Sequence, residues 1–439
     1  MAGAQSGGPT PFYLFPFLIV LGGLTLYRQS EAAPRFGFSL IWLPTAIAIL
    51  TALFCLLNEM KGVFWGFRVP GMFPIWVRVV WVQGMLLLLH PPIFPPVQSF
   101  IHNIACRLHQ RGYGGWKVLL PLAAVAMGMW LLRSQNVYSD GYDWIQHSFV
   151  PGNWTRYLRE PLSVLLLRVS VVVTGWEPYL AITVVMIGAG LITFILMARI
   201  VRFALPPPYA GFTYALLVSS AGFTQLFFGN IEIYGLLQLG TACFIHAVFR
   251  YWQDDWAAWR VGAAYALLLC LHLSAAWWGL CFLAIPLVKR YSQEKPVCVT
   301  WDSVQMSLTT AGLGVLFALY IASVGHDGSL VQLWRHFTSV QVLYVGSDAA
   351  MFHPWQTYLT GAYYLTQINE FFFLMPGLFV LLPVILAAWK HRGRVTLQQA
   401  WFLAMAGFYC LYALVWHADR PIVKDWDLFS GLTIPMALS

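Results

Sequence analysis

Across 439 residues, 59% are hydrophobic, only 10% are charged, and the mean hydropathy is +0.68. A soluble domain carries roughly 25% charged residues, and a membrane β-barrel alternates along its strands instead of running on in long apolar stretches. The net charge of +8 sits in short loops between apolar runs, which ties it to membrane topology and anionic headgroups and sets nucleic acid aside.

Helices are then the only way to satisfy the backbone in lipid. Apolar runs at 13–27, 38–57 and 73–90 predict a three-helix N-terminal extension, residues 1–115. Further runs follow at 116–132, 176–198, 208–226, 233–249, 260–274, 275–288, 305–324, 371–389 and 397–416. Together they predict an all-α, polytopic transmembrane bundle of about 12–13 helices, with its core at 116–439. The closing stretch 428–439 is too short to span, so the chain is expected to be truncated at its C-terminus.

The segment "EPLSVLLLRVSVVVTG" (160–175) stands apart. An arginine at mid-bilayer costs at least about 2.5–3.5 kcal/mol on insertion scales, and Arg168 is central in this short run. A helix lying in the interface lets its guanidinium reach water; a short tilted span is the alternative. Basic clusters at Arg107/Arg111/Lys117, Arg199/Arg202, Arg250/Arg260, Lys289/Arg290/Lys295 and Lys390/Arg392/Arg394 are expected on one side, the cytoplasm. The opposite side then receives 133–175, the turns 226–232 and 272–276, 325–370 and 417–427, with most of the acidic residues. Lys61, Arg68 and Arg78 do not fit a simple count, which leaves the topology of the extension open. The seven cysteines lack CxxC spacing and mostly lie in apolar runs, as buried small hydrophobes do.

The order of these parts resembles the GT-C glycosyltransferases, polytopic enzymes that take a sugar from a polyprenyl-phosphate carrier. The branch resembled includes the galacturonosyltransferase-like and aminoarabinose-transferase-like proteins. The stretches that carry the likeness are "SDGYD" (139–143), "REPLSVLLLRVSVVVTGWEP" (159–178), "MARIVRF" (197–203), "FFGNIEIYG" (227–235) and "LHLSAAWWG" (271–279). The resemblance implies a multi-pass protein of the bacterial inner membrane, active at its periplasmic face. It implies a polyprenyl-phosphate-linked sugar donor and membrane lipids as partners. A divalent cation, Mg2+ or Mn2+, is a conceivable cofactor. The catalytic base of that family falls on Asp140; Gly141 stands where a glutamate is usual, and Asp143 is the available substitute.

Such a transfer needs a base for the acceptor hydroxyl, a cation for the leaving phosphate and a groove for the prenyl chain. Asp140 and Asp143 are the candidate catalytic residues; each reads equally as a solvated loop or capping residue. Glu232 lies in a tight turn between apolar runs, where a carboxylate suggests function, or a headgroup-wetted turn. His272, in the facing turn, is either a phosphate contact or a satisfied core histidine. Arg420 and Lys424 are candidates for the phosphate, with Asp425 and Asp427 orienting them or holding sugar hydroxyls; a salt-bridged loop is the alternative. Arg335, His336 and His353 are weaker candidates of the same kind. Trp144 and Trp426 are kept for sugar stacking, while Trp154, Trp176, Trp277, Trp278 and Trp355 read as an interfacial belt. "QINE" (367–370) reads as a polar cap or a substrate contact. A transporter or flippase is the competing reading, and a membrane assembly protein without chemistry a third; few mid-span charges and no evident repeat count against transport.

Overall fold

The computed structural model describes residues 116–131, 133, 145, 160–204, 226–227, 231, 233–296, 298, 300–324, 359–374, 396–415 and 430–438. Among these residues every regular element is helical. In chain order they are α1 (Trp116–Leu131), α2 (Pro161–Thr174), α3 (Pro178–Ala204), α4 (Tyr234–Trp252) and α5 (Ala258–Leu271). A 3-10 segment (Leu273–Trp278) leads into α6 (Gly279–Ser292), followed by α7 (Trp301–Val324), α8 (Gly361–Leu374), α9 (Leu397–Val415) and α10 (Thr433–Leu438). Three stretches, Pro178–Ala204, Leu273–Ser292 and Trp301–Tyr320, are long and apolar enough to cross a membrane by length and composition. The extension 1–115 and almost all of the predicted helix 208–226 lie outside the described residues.

Local chemistry sets the helix ends. α2 opens with Pro161 in its first turn, where a missing N–H costs nothing, and closes on Gly175 at φ 64°. The Gly175 N–H donates to the Val171 carbonyl. At the start of α9, Thr396 and Gln399 cap each other: the Gln399 N–H donates to Thr396 Oγ1 at 3.2 Å, and the Thr396 N–H to Gln399 Oε1 at 3.1 Å. α8 begins at Gly361 and not near 371, because no glycine or proline interrupts 362–374. The "QINE" stretch is therefore carried inside a helix and does not cap one; Gln367 is buried.

α2 is 14 residues long, about 21 Å at 1.5 Å per residue, well short of a hydrocarbon core of about 30 Å. Ser163, Val164 and Leu167 face inward, while Leu166, Val169, Val172 and Val173 are exposed. α3 and α4 run parallel: Phe203 meets Phe249 near their C-terminal ends, and Met186 lies against Gly235 nearer their N-terminal ends. α4 and α5 pair through Phe244 and Tyr265, whose ring centroids are 5.2 Å apart. α6 folds back beside α5, stacking Phe282 on Tyr265 at 4.3 Å. α9 is fastened to this hairpin by two indoles: Trp278 Nε1 donates to the Met405 carbonyl at 3.0 Å, and Trp401 Nε1 to the Cys281 carbonyl at 2.8 Å.

Two expectations are corrected by this packing. Trp278 is not part of an interfacial belt; it is fully buried, with its N–H satisfied by α9 and its ring beside Tyr409. Trp277 is partly buried against Tyr412, whereas Trp176 is exposed as a belt residue would be. Of the cysteines described, Cys281 alone is buried; Cys243 and Cys298 are exposed and Cys270 and Cys410 lie between. An apolar run supplies an outer face as well as a core face, and Cys243 falls on the outer one.

The basic clusters at Arg199/Arg202, Arg250/Arg260 and Lys289/Arg290/Lys295 gather at one end of the described helices. Arg250 lies over Phe203, Lys289 pairs with Asp254 at 2.6 Å, and Tyr251 donates to Asp302 at 2.6 Å. Glu160 and His272 lie at the other end.

α5 and α7 run parallel and approach closely at Gly262. A Cβ there would stand 2.5 Å from the Met306 carbonyl oxygen, and Thr310 Oγ1 donates to the Gly262 carbonyl at 3.0 Å. Gly262→Val is expected to lower stability by about 1–3 kcal/mol, as overpacking does. Gly312→Ala, with nothing within 4 Å of its Cβ, is expected to be neutral or to stabilise by up to ~1 kcal/mol. Thermal unfolding of the two detergent-purified variants checks the contrast.

Candidate functional site

The chain leaves helical geometry at His272, where φ is −161° and ψ is 126°. Such a break strands backbone groups that an apolar environment does not satisfy. Here each is met. The His272 N–H still donates to the Leu268 carbonyl, and the Ala275 N–H to the His272 carbonyl. Ser163 Oγ, from α2, donates to the Leu271 carbonyl at 2.8 Å. Tyr265 OH donates to the Ala275 carbonyl at 3.1 Å.

The imidazole takes part in the same closure. His272 Nδ1 accepts from the Ser274 N–H at 3.1 Å and so caps the 3-10 segment. Acceptance at Nδ1 puts the ring proton of the neutral imidazole on Nε2. Nε2 faces Glu160 Oε1 at 3.6 Å. That separation is too long for a direct hydrogen bond. Both side chains are buried, at 7% and 6% exposure. The Glu160 carboxylate stands at the start of α2, where the helix dipole favours negative charge. The Tyr234 ring lies 5.3 Å from that of His272.

A polar layer continues inward from this pair. Ser274 Oγ and Tyr409 OH share a hydrogen bond at 3.0 Å. Gly431 packs on the Tyr409 ring, and a Cβ there would come within 2.6 Å of it. Beside Gly431, Ser430 Oγ accepts from Gln238 Nε2 at 3.0 Å. Gln238 Oε1 is buried with no hydrogen-bond partner among the described residues. Segments far apart in the chain, at 160–163, 234–238, 272–274, 409 and 430–431, therefore meet at one level.

Of the residues expected from sequence, His272 is placed here, buried, with Nδ1 accepting from the Ser274 N–H and Nε2 facing Glu160. Asp140, Asp143, Trp144, Glu232, Arg420, Lys424, Asp425, Trp426 and Asp427 lie outside the described residues, as do Arg335, His336 and His353. Glu160 was placed on the same side of the membrane by sequence but given no role. Ser274, Tyr409, Gln238 and Ser430 were missed. A glutamine inside the apolar run 233–249 was the available signal, since polar groups within such runs cost energy unless paired. Among the described residues, no three His, Cys, Asp or Glu side chains come together in a way that holds a metal ion. No family model matches the chain, and neither curated proteins nor solved structures yield a similar one.

The Ser274–Tyr409 bond gives a direct test of the layer. Tyr409→Phe and Ser274→Ala are each expected to cost ~0.5–1.5 kcal/mol, the net worth of one buried hydrogen bond. The double variant should lose less than the sum, because the second change removes a bond already broken. A double-mutant cycle read by thermal unfolding checks this; full additivity would show that the two hydroxyls do not interact.

Proposed function

We propose that this chain is an integral-membrane glycosyltransferase of GT-C type that moves a sugar from a polyprenyl-phosphate donor to a lipid, glycan or protein acceptor. The observation that carries the reading is the buried Glu160–His272 pair, held by a short helix that follows the "SDGYD" stretch in sequence and set at the end opposite the cations. In this reading the helices form a polytopic bundle, α2 lies in the interface, and the Glu160 end faces the periplasm of a bacterial inner membrane.

In the reaction the acceptor hydroxyl attacks the anomeric carbon. The carbon–oxygen bond to the phosphate breaks with its electron pair and polyprenyl phosphate leaves. The hydroxyl proton passes to a carboxylate. Asp140 is assigned that proton, with Asp143 as its substitute, and a general base of this kind is worth about 10²–10⁴-fold. Arg420 and Lys424 neutralise the leaving phosphate, where Arg offers two parallel donors and Lys a point charge. Asp425 and Asp427 orient those cations or hold sugar hydroxyls. Glu232 contacts the acceptor, and Trp144 and Trp426 stack on sugar faces. A divalent cation, when bound, would supply further positive charge to the phosphate. Gln238 Oε1, which has no donor among the described residues, supports a polar ligand at this end, since a buried acceptor without a donor costs about 1–3 kcal/mol.

A second reading, a transporter or flippase of a lipid-linked or small polar substrate, draws on the helix break at His272, because interrupted helices build many transport sites. One assay separates the two. Membranes containing the protein are given a panel of radiolabelled polyprenyl-phosphate sugars. Transfer of label to an acceptor is expected, falling at least about 10²-fold in Asp140→Asn while the folded protein persists. Glu160→Gln is expected to slow transfer as well. Label that crosses the bilayer still attached to its carrier, with no transfer from any donor, would replace the enzyme with the transporter.

A further inference from the structure

At the basic end, the last turns of α3 and α4 and the turn before α5 enclose a histidine. His246 is buried at 8% exposure. Its ring lies 5.8 Å from that of Phe203 and 5.5 Å from that of Trp256. Neither of its nitrogens has a hydrogen-bond partner among the described residues. Each flanking ring carries a cation: Arg250 lies 5.9 Å over Phe203, and Arg260 lies 5.3 Å over Trp256. Arg199 stands one turn before Phe203 on α3, and Arg250 one turn after His246 on α4, so each lies on the helix face that bears that ring. The 253–257 turn is closed by the Asp255 and Trp256 N–H groups, which donate to the Arg250 carbonyl at 3.0 and 3.3 Å. That closure brings the Asp255 carboxylate to 2.9 Å from the Arg250 guanidinium.

Two guanidiniums, each one helical turn from a ring of this cluster, and an imidazole N–H are donors that one anion satisfies together. We propose that Arg199, His246 and Arg250 form a binding site for a phosphate group, supplied by an anionic lipid headgroup or by a soluble phosphate ester. The guanidiniums donate to phosphate oxygens, the imidazole N–H adds a third donor, and Arg260 on Trp256 borders the site. Phe203 and Trp256 hold the cations in place through their ring faces. Asp255 competes with the ligand for Arg250 and so limits affinity. The site lies twelve residues along α4 from Tyr234, about 18 Å at 1.5 Å per residue, and does not depend on the reaction proposed above.

The test uses the full chain in lipid nanodiscs of phosphatidylcholine alone or mixed with phosphatidylglycerol. Native mass spectrometry reads retained phosphatidylglycerol, and calorimetry in the phosphatidylcholine discs reads binding of inorganic phosphate. Arg199→Gln and Arg250→Gln are each expected to weaken binding about fivefold, the worth of one basic residue near an anionic headgroup. Asp255→Asn is expected to tighten it, a gain that a misfolded variant does not produce. Retention of phosphatidylglycerol with this pattern assigns the site to a lipid headgroup. The same pattern with inorganic phosphate, and no preference for phosphatidylglycerol, assigns it to a soluble ligand. Binding of neither probe, or binding that Arg199→Gln and Asp255→Asn leave unchanged, overturns the proposal.

Discussion

A buried turn has no water with which to complete its backbone, and the turn at His272 shows what that demands. Side chains close its carbonyls and amides: the remote Ser163 on the Leu271 carbonyl, and the local Tyr265 on the Ala275 carbonyl and His272 ring on the Ser274 N–H. Each closure fixes a neighbour. Ser163 sets the position of α2 against α5, which brings Glu160 to His272. Ser274 reaches Tyr409 and so sets α9 against the hairpin. A polar turn that must be satisfied internally thus organises the helices around it, and the carboxylate–imidazole pair follows from the same constraint.

The opposite end obeys a different rule. Arg202, Arg250, Lys289 and Arg290 all lie in the last turns of their helices, where carbonyls point outward and the dipole favours cations. α7 begins there, and its first turn carries Asp302, the sign that an N-terminus favours. Asp302 accepts from Tyr251, while Asp254, in the left-handed region at φ 62°, holds Lys289. The segregation of charge that a positive-inside rule reads from sequence is therefore also a matter of helix direction. Helices that end at this face bring cations to it, and the one whose first turn is acidic starts from it.

These physical rules account for what was legible beforehand. Apolar runs marked the helices, since length and hydropathy are local properties: α4 and α9 begin and end within three residues of 233–249 and 397–416, while α3 runs six residues past 198 and α7 starts four before 305. The meeting of the 199/202, 250/260 and 289/290/295 clusters was legible too, because helices joined by short turns must alternate direction. The hairpin break was placed near 274 and falls at His272, since hydropathy does not register a dihedral. Glu160 as the partner of His272 was not legible. The pair is separated by more than a hundred residues, and it forms because Ser163, one turn away, is needed by the Leu271 carbonyl. Trp278 shows the converse. Its sequence neighbourhood matches an aromatic belt, yet the Met405 carbonyl satisfies its N–H and frees the indole to be buried.

α4 joins the two ends. It carries Tyr234 and Gln238 beside the Glu160–His272 layer, and His246 and Arg250 at the cationic face. Between them Phe244 packs on Tyr265 and Trp401, so the helix is held along its length by rings and not by polar groups. Van der Waals contact of this kind resists small displacements, because close-packed interiors transmit strain instead of absorbing it. A shift of α4 along its axis would move Gln238 off Ser430 and, in the same motion, move His246 between Phe203 and Trp256. The polar groups at both ends are thus registered by one rigid element, and the register is set where the hydrogen bonds are most costly to lose, in the buried layer at Ser430 and Tyr409.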